Sequence, residues 1–223
     1  MRQHTPPSSQ GPDPARRALL RAIPAATAVA LAARGAGAQA PQPRVTVVAR
    51  GLDHPWSLAF LPDGRMLVTE RRGQLRVVEP DGRTSAPLAG VPQVFARGQG
   101  GLLDVALGPG FASDRSVFLS YAERTDDGAR TAVARAEFVD GAAPALRDAR
   151  TIFAQRPAVS GGNHFGSRLV FARDGTLFVT LGDRFTQRDR AQTLDNHVGK
   201  IVRIRADGSV PPDNPFVDKP GAL

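Results

Sequence analysis

The sequence predicts an all-β chain made of consecutive β-propeller blades, and three observations carry that prediction. Short β-branched and apolar runs are punctuated by Gly, Pro and Asp-Gly turns roughly every eight to twelve residues, the spacing of an all-β architecture. One strand-turn-strand unit recurs: Leu58-Ala59-Phe60-x-x-Asp63-Gly64-x-x-x-Val68-Thr69 is matched position for position by Leu169-Val170-Phe171-x-x-Asp174-Gly175-x-x-x-Val179-Thr180. Composition agrees, since 23 Gly and 19 Pro in 223 residues suit many tight turns.

The first forty residues read as an export leader. Arg16-Arg17-Ala18-Leu19-Leu20-Arg21 precedes an apolar, Ala-rich run from Ile23 to Ala33, and Ala36-Gly37-Ala38 offers the small-x-small pattern of a cleavage site. The adjacent arginines followed by leucines resemble a twin-arginine signal. The apolar run is too short for a membrane span, so no stable membrane insertion is expected once the leader is removed. Residues 1–40 are expected to be the leader and residues 41–223 the propeller domain, periplasmic or secreted.

From Arg44 onward the strands follow in order. Val45-Thr46-Val47-Val48 is β-branched, and Trp56 to Phe60 leads into the Pro62-Asp63-Gly64 turn. Met66 to Thr69 and Leu75 to Val78 come next, closed by Asp81-Gly82. A looser copy runs from Leu103 to Leu107 through Pro109-Gly110-Phe111 to Val117–Ser120, with a further strand from Ala132 to Phe138. After the second exact repeat, Gly199-Lys200-Ile201-Val202-Arg203-Ile204 echoes Gly73-Gln74-Leu75-Arg76-Val77, ahead of Asp207-Gly208. That makes about three units of roughly four antiparallel strands each, whereas propellers use about four to eight blades. The ring is therefore expected to be partial, with Pro211 to Leu223 as a connector and the chain as the N-terminal part of a longer protein.

Charge and cysteine content narrow the function classes. The net charge is +8, but five arginines and one aspartate fall in residues 1–40, so half of it belongs to the leader. The rest is spread without a basic run, which argues against a nucleic-acid partner. Zero cysteines exclude disulfides and thiolate metal sites. No glycine fingerprint opens a helix after a strand, so a nicotinamide-binding Rossmann unit is set aside.

Taken in order, Asp53-His54-Pro55-Trp56-Ser57-Leu58-Ala59-Phe60, Thr69-Glu70-Arg71, Gly98-Gln99-Gly100-Gly101-Leu102-Leu103-Asp104, Gly162-Asn163-His164-Phe165-Gly166-Ser167-Arg168-Leu169, Gly199-Lys200-Ile201-Val202-Arg203 and Pro211-Pro212-Asp213-Asn214-Pro215-Phe216 resemble the soluble glucose/sorbosone dehydrogenase family. The likeness is greatest to its bacterial aldose sugar dehydrogenases and spans residues 45–220. It implies a six-bladed propeller of four-stranded sheets that holds pyrroloquinoline quinone (PQQ) and calcium on one face. It also implies oxidation of aldose sugars at the anomeric carbon to the lactone, with electrons passed to an external acceptor.

Carried onto this chain, the resemblance makes His164 the general base, a role suited to an imidazole that titrates near neutrality. By itself a lone histidine is more often bonded to loop backbone; Gly161, Gly162 and Gly166 around it favour close approach of a flat ligand. Gln99 becomes an amide contacting cofactor and substrate, able to donate and accept at once, although a turn residue in a Gly-rich loop reads as well. Asn163 is a substrate contact that supplies no charge, and Arg168 a cofactor contact, with Asp183 beside the groove. His54 and His197 read as non-catalytic. No metal ligands are expected within residues 1–223: the calcium loop and further cationic cofactor contacts of the family match nothing here. The chain alone is therefore expected neither to bind the quinone tightly nor to oxidise sugar. Two other classes stay open, a calcium-dependent propeller lactonase using residues such as Glu70 and Asp104, and a non-catalytic propeller that presents loops to a partner.

Overall fold

The computed structural model describes residues 43–223, so the leader reading of residues 1–40 lies outside the described residues. All strands fall in one compact unit, Val47–Leu223. Among the described residues ten strands form three antiparallel sheets: β1 (Pro55–Phe60), β2 (Met66–Glu70) and β3 (Gln74–Val78); β4 (Leu102–Leu107), β5 (Ser116–Thr125), β6 (Gly128–Val139) and β7 (Ala145–Ala154); and β8 (Gly166–Phe171), β9 (Leu177–Leu181) and β10 (Ile201–Ile204). One helical turn, α1 (Phe111–Asp114), joins β4 to β5. No helix among the described residues is long and apolar enough to cross a membrane.

The sequence repeat is a repeat of hydrogen-bond register. Leu58 pairs with Val68 and Phe60 with Met66 in the first sheet; Leu169 pairs with Val179 and Phe171 with Leu177 in the third. Both hairpins turn the same way: Gly64 donates to the Leu61 carbonyl and Gly175 to that of Ala172, each glycine at positive φ. The middle sheet buries both faces by the period-2 alternation of a strand. Leu119 and Ala134 pack with Leu67, Leu75 and Val77 of the first sheet, while Phe118 and Val133 pack with Leu169, Leu177 and Val179 of the third. Stacked sheets of this kind are propeller blades.

Two expectations need correction. Only the middle sheet has four strands; the outer two have three each among the described residues. After β3, residues 84–88 do run beside the edge, with Ser85 donating to the Val77 carbonyl and Leu88 to that of Leu75. Pro87 lies in that run and has no N–H, so no regular ladder forms. After β10, Pro211 and Pro212 impose the same limit. Val45–Val48 is likewise not a strand: β-branched residues favour an extended backbone, but a strand also needs a paired neighbour.

A bulge interrupts the first strand of every sheet, between Pro55 and Ser57, Leu102 and Val105, and Gly166 and Leu169. A bulge leaves an N–H without its ladder partner, and a hydroxyl on the adjacent strand takes it up. Thr69 accepts from Ser57 N–H at 3.0 Å, Ser120 from Asp104 at 2.9 Å and Thr180 from Arg168 at 2.9 Å. Two of these hydroxyls then donate to the next sheet, Thr69 to the Leu103 carbonyl and Ser120 to that of Ser167, both at 2.6 Å.

Asp104 ties all three sheets at this level. Its Oδ1 accepts from the Ser57 hydroxyl and, at 2.7 Å, from Arg168 Nη1, while Oδ2 accepts from Leu169 N–H at 2.7 Å. Oδ1 also accepts from Val105 N–H at 3.0 Å, and the buried carboxylate rests on these four donors. Asp104→Ala strips a buried partner from four donors and is expected to lower unfolding free energy by about 3 kcal/mol, read by urea denaturation. Arg168→Ala, which removes a half-exposed partner and leaves Asp104 its remaining donors, is expected to cost less.

Candidate active site

The bulged ends of β4 and β8 are entered by two Gly-rich loops lying side by side. Gln99 donates its N–H to the Gly162 carbonyl at 2.7 Å, and His164 N–H donates back to Gln99 Oε1 at 2.9 Å. The Gln99 loop is clamped from the first sheet, since Arg71 Nη1 donates to the Gly98 carbonyl at 2.7 Å and Leu102 N–H to the Arg71 carbonyl at 2.9 Å. Gly101 permits that clamp: its φ is +144°, and a Cβ there would stand 1.8 Å from the Arg71 oxygen.

A third loop, Gly182–Phe185, follows β9 and closes on His164. A side chain at Gly182 would begin 1.9 Å from the His164 carbonyl oxygen, so the approach requires glycine. It brings Asp183 Oδ1 to 2.7 Å from His164 Nδ1, and the Phe185 ring edge-on to the imidazole with centroids 5.3 Å apart. The Asp183 carboxyl is held below its ordinary pKa by the imidazole first and then by the N–H of Phe185. An ionised Asp183 accepts from Nδ1–H and leaves Nε2 as the proton-accepting nitrogen.

These loops border an open cavity of about 280 Å³ lined by Trp56, Arg71, Gln99, Leu103, His164, Phe165 and Gly166. Trp56, Leu103 and Phe165 offer flat or apolar walls, Arg71 a cation, Gln99 an amide and His164 an imidazole. His164 and Gln99, 65 positions apart in the chain, thus share one wall. Asn163 is exposed at the rim, with its amide oxygen beside Gly98, and does not line the cavity. Arg168 does not line the cavity; it is bonded to Asp104 and stacked 5.1 Å over the Trp56 ring. Residue-by-residue reading gave no role to Trp56, Arg71, Phe165 or Phe185. The signals available were that Trp56 is the one tryptophan of the chain and that Arg71 follows a repeat strand.

The acids considered for a metal-dependent hydrolase are engaged elsewhere. Glu70 is buried, accepting from Asp53 N–H at 2.6 Å and Arg76 Nε at 2.9 Å, and Asp104 serves the joint between sheets. Among the described residues no three His, Cys, Asp or Glu side chains converge.

The other described histidines have structural surroundings. His54 is exposed and bonded to Asp53. His197 is buried against Phe153, and its Nδ1 accepts the N–H of Arg156 at 3.0 Å. Burial, then Arg156 and Lys200, push its pKa down to about 4. Because the unfolded chain takes up that proton at higher pH than the folded one, stability is full above about pH 6.5 and falls as pH drops toward 4. The loss is expected to reach about 2–3 kcal/mol. Thermal melting between pH 7 and pH 4 checks this, with His197→Phe flattening the dependence.

The family model for glucose/sorbosone dehydrogenases matches residues 52–223. Aldose sugar dehydrogenase YliI of Escherichia coli is 52% identical over 180 residues, covering 80% of this chain and 48% of that protein. The apo crystal structure of the soluble aldose sugar dehydrogenase of Escherichia coli superposes with a TM-score of 0.77 at 50% identity, covering 81% of this chain and 52% of that one. The PQQ-bound aldose sugar dehydrogenase of Streptomyces coelicolor gives a TM-score of 0.66 at 32% identity over 80% of this chain and 51% of that one. The chain spans about half the length of the curated relatives it matches.

Proposed function

The chain belongs to the glucose/sorbosone dehydrogenase family, and from that premise we propose that it contributes the base-bearing part of a PQQ-dependent aldose dehydrogenase. The observation that carries this reading is the His164–Asp183 pair standing with Gln99 on the wall of one cavity. Trp56, Leu103 and Phe165 would face a planar ring system, Arg71 would meet an anionic group on it and Gln99 a carbonyl. When bound, the quinone supplies the acceptor for the hydride that leaves the anomeric carbon.

The protein's own part is proton handling and orientation. His164 Nε2 takes the proton of the anomeric hydroxyl as C1–H breaks, and the C1–O bond becomes the lactone carbonyl. Asp183 fixes the tautomer and stabilises the imidazolium that forms. Gln99 Oε1 is spent on the His164 amide, which leaves its amide N–H groups for the sugar or the quinone. Asn163 at the rim offers a neutral contact to a sugar hydroxyl, and Arg168 contributes through Trp56 rather than by facing the cavity.

The two electrons then pass to an external acceptor. Calcium would be held by residues outside 1–223, and no step is assigned to it. Residues 1–40 would direct export by the twin-arginine route to the periplasm or beyond, leaving 41–223 as propeller.

On this reading the cationic and metal contacts of the quinone lie largely outside residues 1–223, so this chain by itself is expected to quench Trp56 fluorescence only weakly with PQQ and to give no glucose-dependent dye reduction. Joined to the complementary half of the Escherichia coli relative, it is expected to reduce the dye when PQQ and calcium are added. In that chimera His164→Gln should lower kcat by about 10²–10⁴-fold. Wild-type turnover by the His164→Gln chimera would sink the assignment.

A further inference from the structure

The largest fully buried side chain among the described residues is Arg184, which is 2% exposed and takes no part in the proton chemistry above. Buried arginines normally sit against a carboxylate; among the described residues Arg184 has no such partner. Its donors go to main-chain carbonyls instead: Nε to Asn163 at 3.1 Å, Nη2 to Gly161 at 2.9 Å and Nη1 to Ala129 at 3.4 Å. The guanidinium carbon lies 3.6 Å from the centre of the Phe165 ring, and the residue's own N–H donates to the His164 carbonyl at 3.3 Å. One side chain and its amide therefore grip the loop at Gly161, Asn163, His164 and Phe165.

The backbone shows why such a grip is needed. Seven non-glycine residues among those described have positive φ, and four of them fall in or beside these two loops: His164 (+50°), Ser167 (+91°), Arg184 (+57°) and Phe185 (+66°). Bulky residues hold that conformation only where surrounding bonds over-determine it. Arg184 sits in one strained loop and bonds the other, with Asp183 on one side of it and Phe185, packed on the imidazole, on the other. A planar fork can serve several divergent carbonyls and stack on a ring at once, which an ammonium cannot.

We propose that Arg184 is a positioning residue for His164: it locks the Gly161–Phe165 loop to the Gly182–Phe185 loop and so sets the His164–Asp183 hydrogen bond. The inference rests on the reading of His164 as the base, but its test needs no turnover. The probe is the His164 Nδ1–H resonance in the full chain, a downfield imidazole proton identified by its loss in His164→Gln. In Arg184→Met this proton and the amides of residues 163–166 are expected to exchange with solvent about tenfold faster or more, while the rest of the chain stays protected.

Arg184→Lys, which keeps the charge without the fork, is expected to fall between wild type and Arg184→Met. Arg203→Met is the control for general destabilisation. It removes ion pairs to Asp174 and Asp213 at 3.0 and 2.9 Å and should lower Tm without altering the His164 signal. An unchanged resonance and exchange rate in Arg184→Met would overturn the proposal, as would wild-type behaviour of Arg184→Lys if the Met variant does not fold. An inactive chimera whose imidazole signal still depends on Arg184 would instead refute the sugar-oxidation reading and leave the positioning role standing.

Discussion

A buried carboxylate must collect donors, and Asp104 collects them from three sheets. Because Ser57, Asp104 and Arg168 stand at matching bulges, the same contact that satisfies one charge also fixes how far one blade lies from the next. The site inherits that spacing. Gln99 lies five residues before Asp104 and His164 five residues before Leu169, whose N–H Asp104 accepts. The two loops are therefore suspended from opposite ends of a single ion-centred joint, and their mutual hydrogen bonds follow from it. Apolar packing between the sheets supplies cohesion, but it is non-directional; the polar joint supplies the register.

The bulges also link stability to chemistry. Each one frees an N–H, each is repaired by a hydroxyl, and two of those hydroxyls reach on to the neighbouring sheet. The irregularity that ends regular pairing is thus also what lets a loop leave the strand toward the cavity. Strain accumulates at the same end of the molecule, where His164 and Arg184 hold left-handed backbone. Glycines at 101 and 182 allow backbone to approach backbone more closely than any side chain would permit. Such a site is held by over-determination, which suits the proton-accepting role proposed for His164.

The sheets were legible in the sequence to the extent that their strands are half-buried and alternate. The Leu58–Thr69 and Leu169–Thr180 hairpins could be read residue by residue because turn glycine and core leucine fall at identical offsets. β7 escaped because it forms the outer edge of the middle sheet and half of its residues, Arg147 to Thr151, are exposed; without a regularly buried face there is no apolar period to see. The expected fourth strands of the outer sheets failed for a chemical reason, the missing N–H of Pro87, Pro211 and Pro212.

By itself the sequence determined the all-β repeat, the turns and the order of the motifs, because these depend on local propensity and short-range alternation. It also supplied the residue types of the site: an imidazole, an amide and glycines around them. Only the tertiary structure decided that Asp183 rather than another acid holds His164, that Arg168 turns to Asp104 instead of the cavity, and that Trp56 and Arg71 line it. Those outcomes depend on distances between residues far apart in the chain, and such distances are set by the stacking of sheets through Asp104, which no local pattern encodes.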